Sequence, residues 1–162
     1  MPRVVNQAAL DLIKSFEGLY LEAYQDPVGV WTIGYGHTGL RHNDGTVKKG
    51  RILADEHEAE RLLAADLATF ADGVQKLLLS RPREEINDNQ FGALVSFAFN
   101  CGLGNLAKST LLQRINARDY LAALPEFQKW NRAGGKILRG LTRRRLSETA
   151  LFCSFPNPIV KA

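Results

Sequence analysis

Apolar residues recur every three or four positions at Ala9, Leu12, Ile13 and Phe16, with Asn6 ahead of them and Gly18 behind. Asparagine caps helix starts and glycine ends helices, so the spacing predicts a first helix closing at Glu17. From Ala23 the period drops to two. "AYQ", "DPVG" and "VWTIGYG" then read as strand, turn and strand, because proline fixes the entry of a turn and glycine frees its exit. A second turn, "HNDGT", predicts one more short strand near Thr46 and Val47, completing a small antiparallel sheet. Next, Ala59, Leu63, Leu67, Phe70, Val74 and Leu77 share one helical stripe within residues 55–79, and acids crowd its first turns, where the helix dipole favours them. This is a long linking helix.

The remainder also reads as helix. Asn87 and Gln90 make a capping-box start before "FGALVSFAFN", and Ser109 and Asp119 are caps for two short helices. Pro125 is expected to break or kink the second of these. A last helix covers "LTRRRLSETALF", and the proline-rich tail "FPNPIVKA" cannot continue it. The pattern predicts a mostly helical α+β chain, with a small β-hairpin lobe at residues 14–54 and a helical lobe at 76–162. Helix 1–17 precedes the first lobe and the linking helix 55–79 joins the two.

At 162 residues the chain is long enough for one domain and too short for two ordinary ones. A composition 45% hydrophobic and 23% charged excludes a disordered chain. The formal charge of +4 favours an anionic partner. No apolar run reaches the roughly 18 residues a membrane helix needs, and "MPRVVNQAALDLIKSF" is no secretory leader, so a protein made in a cytoplasm without a membrane anchor is expected. Cys101 and Cys153 lie far apart without a C-x-x-C pattern and read as two small buried hydrophobes, with a disulfide between them as the alternative.

Candidate chemistry gathers in "FEGLYLEAYQDPVGVWTIGYGHTG". Glu17 falls at a helix C-terminus, where unpaired carbonyls disfavour a second anion, so an acid there is expected to suit proton donation. Alternation in "VWTIGYG" sends Trp31, Ile33 and Tyr35 to one face, and leaves Val30, Thr32, Gly34 and Gly36 on the other. Interior strand glycines mark places where a ligand or another backbone comes close, so this nearly bare face is expected to be a floor for a bulky substrate. Thr32 offers a hydroxyl there, and Asp26 begins the turn that leads to it. Singly, each has a plain structural role: a solvated helix-end glutamate, and an aspartate that caps its own turn. Together, a proton-giving acid, an ionised acid and a water-orienting hydroxyl suit glycosidic-bond hydrolysis.

The spacing E-x8-D-x5-T at Glu17, Asp26 and Thr32 resembles the catalytic signature of the bacteriophage-type lysozymes, or endolysins. Similarity extends through "EAERLLAADL", "ALVSFAFNCGLG", "EFQKWN" and "GLTRRRLSE". The resemblance implies a lysozyme-like fold with a glycan-holding cleft between two lobes, Glu17 as proton donor, and Asp26 with Thr32 positioning the attacking water of an inverting displacement. It implies no metal and no organic cofactor. It also implies a monomer that cuts the β-1,4 bond between N-acetylmuramic acid and N-acetylglucosamine in peptidoglycan. Some relatives carry a signal-arrest-release segment that this sequence lacks. Storage in the host cytoplasm, export by a separate holin-type partner and action in the periplasm are therefore expected. The alternatives are a chitinase or chitosanase, or a catalytically inactive envelope-glycan-binding module.

Other signals point elsewhere and more weakly. "GYGHTG" fits G-x-G-x-x-G, but turn-like "LRHNDG" follows where a dinucleotide site requires a helix. Arg139, Arg143, Arg144 and Arg145, with Lys136, lack interleaved aromatics, so a solvated basic face is expected in place of a nucleic-acid footprint. Arg139 could instead reach Glu17 and lower its pKa. His37 is expected to be fixed by a hydrogen bond at a strand end. His42 and His57 show no ligand geometry, and "HEAER" lacks the second histidine of a zinc hydrolase.

Overall fold

The computed structural model describes residues 3–26, 28–39 and 46–155. Its elements in chain order are α1 (Gln7–Glu17), β1 (Tyr20–Gln25), β2 (Trp31–Gly34), α2 (Glu56–Leu77), α3 (Ser80–Glu85), α4 (Asp88–Cys101), α5 (Leu103–Lys108), α6 (Thr110–Asn116), α7 (Tyr120–Gln128), β3 (Arg132–Ala133), β4 (Lys136–Ile137) and α8 (Arg139–Cys153). The architecture is the mostly helical α+β arrangement with an early hairpin that the pattern predicts. Contacts group the chain into two compact units, Ile13–Thr69 and Met1–Leu12 with Phe70–Ala162. Among the described residues no helix is long and apolar enough to cross a membrane.

In the unit Ile13–Thr69, β1 and β2 pair antiparallel, with Tyr20 opposite Gly34, Tyr24 opposite Thr32, Gln25 opposite Trp31, and a register shift between Tyr20 and Tyr24. The expected strand near Thr46 and Val47 does not form, and most of the turn "HNDGT" lies outside the described residues. The other edge of β1 is satisfied further along the chain. Ala23 N–H donates to the Arg51 carbonyl at 2.9 Å, Leu53 N–H donates to the Leu21 carbonyl at 2.8 Å, and Ile52 bridges Glu22. Ile13, Ile33, Leu53, Ala59, Leu63 and Leu67 are buried in this unit, and Gly34 meets Ala59, which sets the start of α2 against the hairpin.

In the other unit α4 is buried along its whole stretch from Phe91 to Phe99, as its near-continuous apolar sequence requires. Asn87 and Gln90 close a capping box at its start, each bond 2.9 Å. α1 approaches so near that a Cβ on Gly92 would stand 2.4 Å from Ala9 Cβ. Phe97 meets Phe127 and Trp130 edge-on, with ring centroids 5.9 and 5.4 Å apart. Ser109 and Asp119 cap α6 and α7 as expected. α7 is not broken at Pro125 but runs on to Gln128, because burial of Ala123 and Phe127 offsets the loss of one backbone hydrogen bond. α3, α5 and the β3–β4 hairpin were not legible as read, although the two-glycine turn Gly134–Gly135, both in the left-handed region, is a known hairpin signal.

Two expectations about charged and sulfur side chains are corrected. The arginine cluster is not one solvated face. Arg139 and Arg143 are exposed, but Arg144 and Arg145 are buried with Glu148 between α8 and α4. Arg145 Nε stands 2.9 Å from Glu148 Oε2 and its Nη2 donates to Oε1 at 3.0 Å, while Ser96 Oγ donates to the same Oε1 at 2.8 Å. Two consecutive arginines of one helix thus turn inward while Arg139 and Arg143 stay outside, which a count of basic residues cannot reveal. Cys101 is half-buried and Cys153 exposed, both as free thiols, so neither is the small buried hydrophobe expected.

Buried ion pairs lose heavily when one partner is removed, because the remaining charge has no counter-ion. Glu148→Gln keeps the shape and leaves two buried guanidinium groups, so a loss of about 3–5 kcal/mol is expected from denaturant unfolding. A loss below about 1 kcal/mol would show that the cluster contributes little to stability.

Candidate active site on the hairpin

Glu17 is the last residue of α1, and the turn before it is held firmly. Lys14 Nζ donates to Glu56 at 2.9 Å and also binds Glu60, both in the opening turns of α2. Its ammonium stands 5.3 Å from the centre of the Tyr35 ring, whose hydroxyl donates to Glu56 Oε1 at 2.7 Å. The Glu60 and Glu56 carboxylates push the Lys14 pKa up. The Tyr35 hydroxyl and Lys14 in turn hold the Glu56 carboxyl below its ordinary range. The backbone that delivers Glu17 is therefore tied to α2 by charge as well as by packing.

The glycines following β2 act differently from the expectation. β2 ends at Gly34, and Ile33 and His37 exchange both backbone hydrogen bonds at 2.9 Å, folding residues 33–37 into a tight turn. Thr32 and Gly34 are buried, so Val30, Thr32, Gly34 and Gly36 do not form one open floor. A Cβ on Gly34 would meet Ala59 Cβ at 3.3 Å; this glycine admits α2, not a ligand. Gly36 lies in the turn with φ +86°, and a Cβ there would stand 3.5 Å from Glu17 Oε2. Its missing side chain leaves room beside the carboxyl. His37 is fixed as expected: its Nδ1 lies 3.0 Å from Asp66 Oδ2, both side chains almost fully buried. The G-x-G-x-x-G run thus belongs to an antiparallel hairpin and carries no dinucleotide geometry.

Asp26 does cap its own turn. Its Oδ1 accepts from the N–H groups of Val28 at 3.0 Å and Val30 at 2.8 Å. Thr32 Oγ1 donates to the Val30 carbonyl at 3.1 Å. The two side chains are thereby joined through the Val30 residue, without a direct hydrogen bond between them. Tyr24, opposite Thr32 in the hairpin, has its phenol pKa pushed up by burial and by its neighbours Tyr20, Glu17 and Asp26. Both carboxylates are therefore within electrostatic reach of one ring. All three predicted residues fall in the unit Ile13–Thr69 around a single hairpin. What sequence reasoning missed is the support: Lys14, Tyr35 and Glu56, whose grouping depends on α1 meeting α2, and Gly36, which was assigned to the strand.

No group of histidine, cysteine, aspartate and glutamate among the described residues could hold a metal ion. His57 is exposed, 3.6 Å from Glu60 Oε2, and His42 lies outside the described residues. Arg139 is exposed at the start of α8.

Residues 14–148 match the phage lysozyme family, and the chain belongs to it. An endolysin of Bacillus phage B103 is 46% identical over 150 residues, covering 91% of this chain and 53% of that protein. The chain thus spans about half the length of this relative. An endolysin of Acyrthosiphon pisum secondary endosymbiont phage 1 is 41% identical, covering 91% of this chain and 97% of its own length. A solved structure of P22 lysozyme, in mutant form, superposes with a TM-score of 0.81 at 34% identity, covering 94% of this chain and 99% of that one. The architecture is lysozyme-like.

A depressed carboxylate pKa means that the unfolded chain binds more protons between the folded and unfolded values, so stability rises with pH there. The contribution of Glu56 is complete above its ordinary value of 4.5 and is lost as pH falls through the lower folded value. Melting curves should therefore show Glu56→Gln below the parent at neutral pH, with the gap closing on acidification below about pH 4.5. A gap independent of pH would exclude the ionic role of Glu56.

Proposed function

We propose that the chain is a muramidase that hydrolyses the β-1,4 bond between N-acetylmuramic acid and N-acetylglucosamine in peptidoglycan, serving host-cell lysis. The observation that carries the reading is the hairpin itself, where Asp26 and Thr32 are joined through Val30 and the charges of Glu17 and Asp26 both reach Tyr24. The endolysin names of its relatives support it.

In this reading Glu17 protonates the glycosidic oxygen as the C–O bond to the anomeric carbon breaks. Asp26 Oδ1 is occupied by two backbone N–H groups, leaving Oδ2 for substrate or water. Thr32 spends its own proton on Val30 and keeps only acceptor capacity. A water that donates one hydrogen to Asp26 Oδ2 and the other to Thr32 Oγ1 turns a lone pair toward the anomeric carbon. As the new C–O bond forms, Asp26 takes the water proton. Attack from the face opposite the leaving group inverts the configuration. On this reading the enzyme waits in the host cytoplasm, reaches the wall through a separate holin-type partner, and works in the periplasm.

Mass spectrometry of digested peptidoglycan tests the reading. Products with reducing-end muramic acid are expected; reducing-end glucosamine, anhydro-muramic acid or no product would each overturn it. Glu17→Gln keeps the shape but cannot give a proton, so its lytic rate should fall by at least about 100-fold with an unchanged circular dichroism spectrum. Turbidity loss equal to the parent's would remove Glu17 from the chemistry. NMR of the first-formed product addresses Asp26 and Thr32: an initial α-anomer is expected from the β-linked glycan, and an initial β-anomer would refute the water-positioning roles.

A further inference from the structure

β1 carries two tyrosines four residues apart, and although the register shifts between them, ring contact puts both on one side. Their rings are in contact, with centroids 4.4 Å apart and planes tilted by 41°. Tyr20 is 48% exposed and Tyr24 half-buried. Directly opposed residues of an antiparallel pair share a face, so Tyr24 lies on the Thr32 side of the hairpin. At the other end a Cβ on Gly18 would meet Tyr20 Cε2 at 3.5 Å, so the Tyr20 ring lies beside the residue that follows Glu17. The pair thus runs from the end of α1 to the cross-strand partner of Thr32. The hairpin core is built from Ala23, Ile33 and Leu53, and needs no exposed ring.

We propose that Tyr20 and Tyr24 form a stacking ledge for the pyranose ring of an N-acetylated, β-1,4-linked amino sugar adjoining the bond to be cut. The proposal rests on the glycan-hydrolase reading above. A chair-form pyranose with equatorial substituents presents axial C–H groups on its face, and these pack on the electron-rich face of an aromatic ring. Its hydroxyls and acetamide then project from the rim, toward water and toward phenol hydroxyls that can donate to them. The Tyr24 phenol keeps its proton because burial and the nearby Glu17 and Asp26 oppose a further negative charge. It therefore remains a donor beside two acids. Rings joined in this way lose little freedom on binding, which suits a rigid platform for successive sugars.

The test uses the full chain and two readouts: KM and kcat on peptidoglycan, and the affinity of a Glu17→Gln background for an N-acetylglucosamine tetramer by calorimetry. Tyr20→Ala is expected to weaken tetramer affinity and raise KM by about fivefold or more, with kcat changed far less and with an unchanged circular dichroism spectrum. Tyr20→Phe, which keeps the ring, should restore the affinity, whereas Tyr20→Leu, apolar but without a π face, should not. Unchanged KM and affinity in Tyr20→Ala would overturn the ledge, as would rescue by leucine equal to that by phenylalanine. Tyr24→Phe, which keeps both rings, extends the comparison to the phenol hydroxyl: an affinity as poor as that of Tyr20→Ala would make hydrogen bonding, not stacking, the source of binding. A parent enzyme that releases no muropeptide strikes the underlying function, whereas an active parent with an indifferent Tyr20→Ala strikes the ledge alone.

Discussion

The site depends on how closely the tip of one hairpin can lie on one helix. At Gly34 the backbone of β2 comes so near α2 that a methyl group there would press on Ala59 Cβ at 3.3 Å. A side chain there would make its neighbours give by a few tenths of an ångström and would sit strained at φ +63°. Around the same point Ile33 and His37 exchange backbone bonds and His37 reaches the buried Asp66. Gly36 stands beside Glu17, where a Cβ would come within 3.5 Å of Oε2. Ala59 and Gly34 are the two smallest side chains available, and their meeting allows a helix end, a strand end and a tight turn to occupy one small space.

The same closeness arranges the charges. Lys14 sits one turn before Glu17 and is taken up by Glu56 and Glu60, with Tyr35 bonded to Glu56 and lying beneath the ammonium. A cation that near to the proposed proton donor could otherwise pair with it and hold it ionised. Engaging Lys14 with two acids of α2 fixes the helix end and commits that charge elsewhere. The exposed parts of this network are individually weak, so its effect on Glu17 is geometric before it is energetic.

Much of this was legible in the sequence, and the parts that were not share a cause. Asn6, the α2 stripe, the Asn87–Gln90 capping box and the caps Ser109 and Asp119 are local signals, set by residues within a few positions of one another, and they hold. The E-x8-D-x5-T spacing is legible for the same reason, since one hairpin carries two of its members and the preceding helix end the third. Wherever the outcome depends on a distant element, the local reading falls short. The second partner of β1 comes from around Ile52 and not Val47, two arginines of α8 turn inward toward Glu148, and Gly34 faces Ala59 where a ligand was expected. Period and propensity describe a segment; they do not say what will be packed on it.

The reading of Asp26 as a turn-forming residue and the reading of it as a working acid are not rivals. A carboxylate that accepts two backbone N–H groups on one oxygen is fixed in orientation, and its second oxygen then points in a direction set by the turn and not by side-chain rotation. The Val30 carbonyl does the same for Thr32 by taking its only proton. Had the threonine donated to Asp26 directly, the pair would satisfy each other and leave one less acceptor for water. By interposing Val30, the hairpin holds two acceptor oxygens at a fixed separation, each with a lone pair that no backbone donor of the turn takes up. That is the requirement for gripping a water by its hydrogens. On the proposed reading the tight turn is what fits the acid to its task, and the short spacing between Asp26 and Thr32 is what a hairpin with this turn imposes.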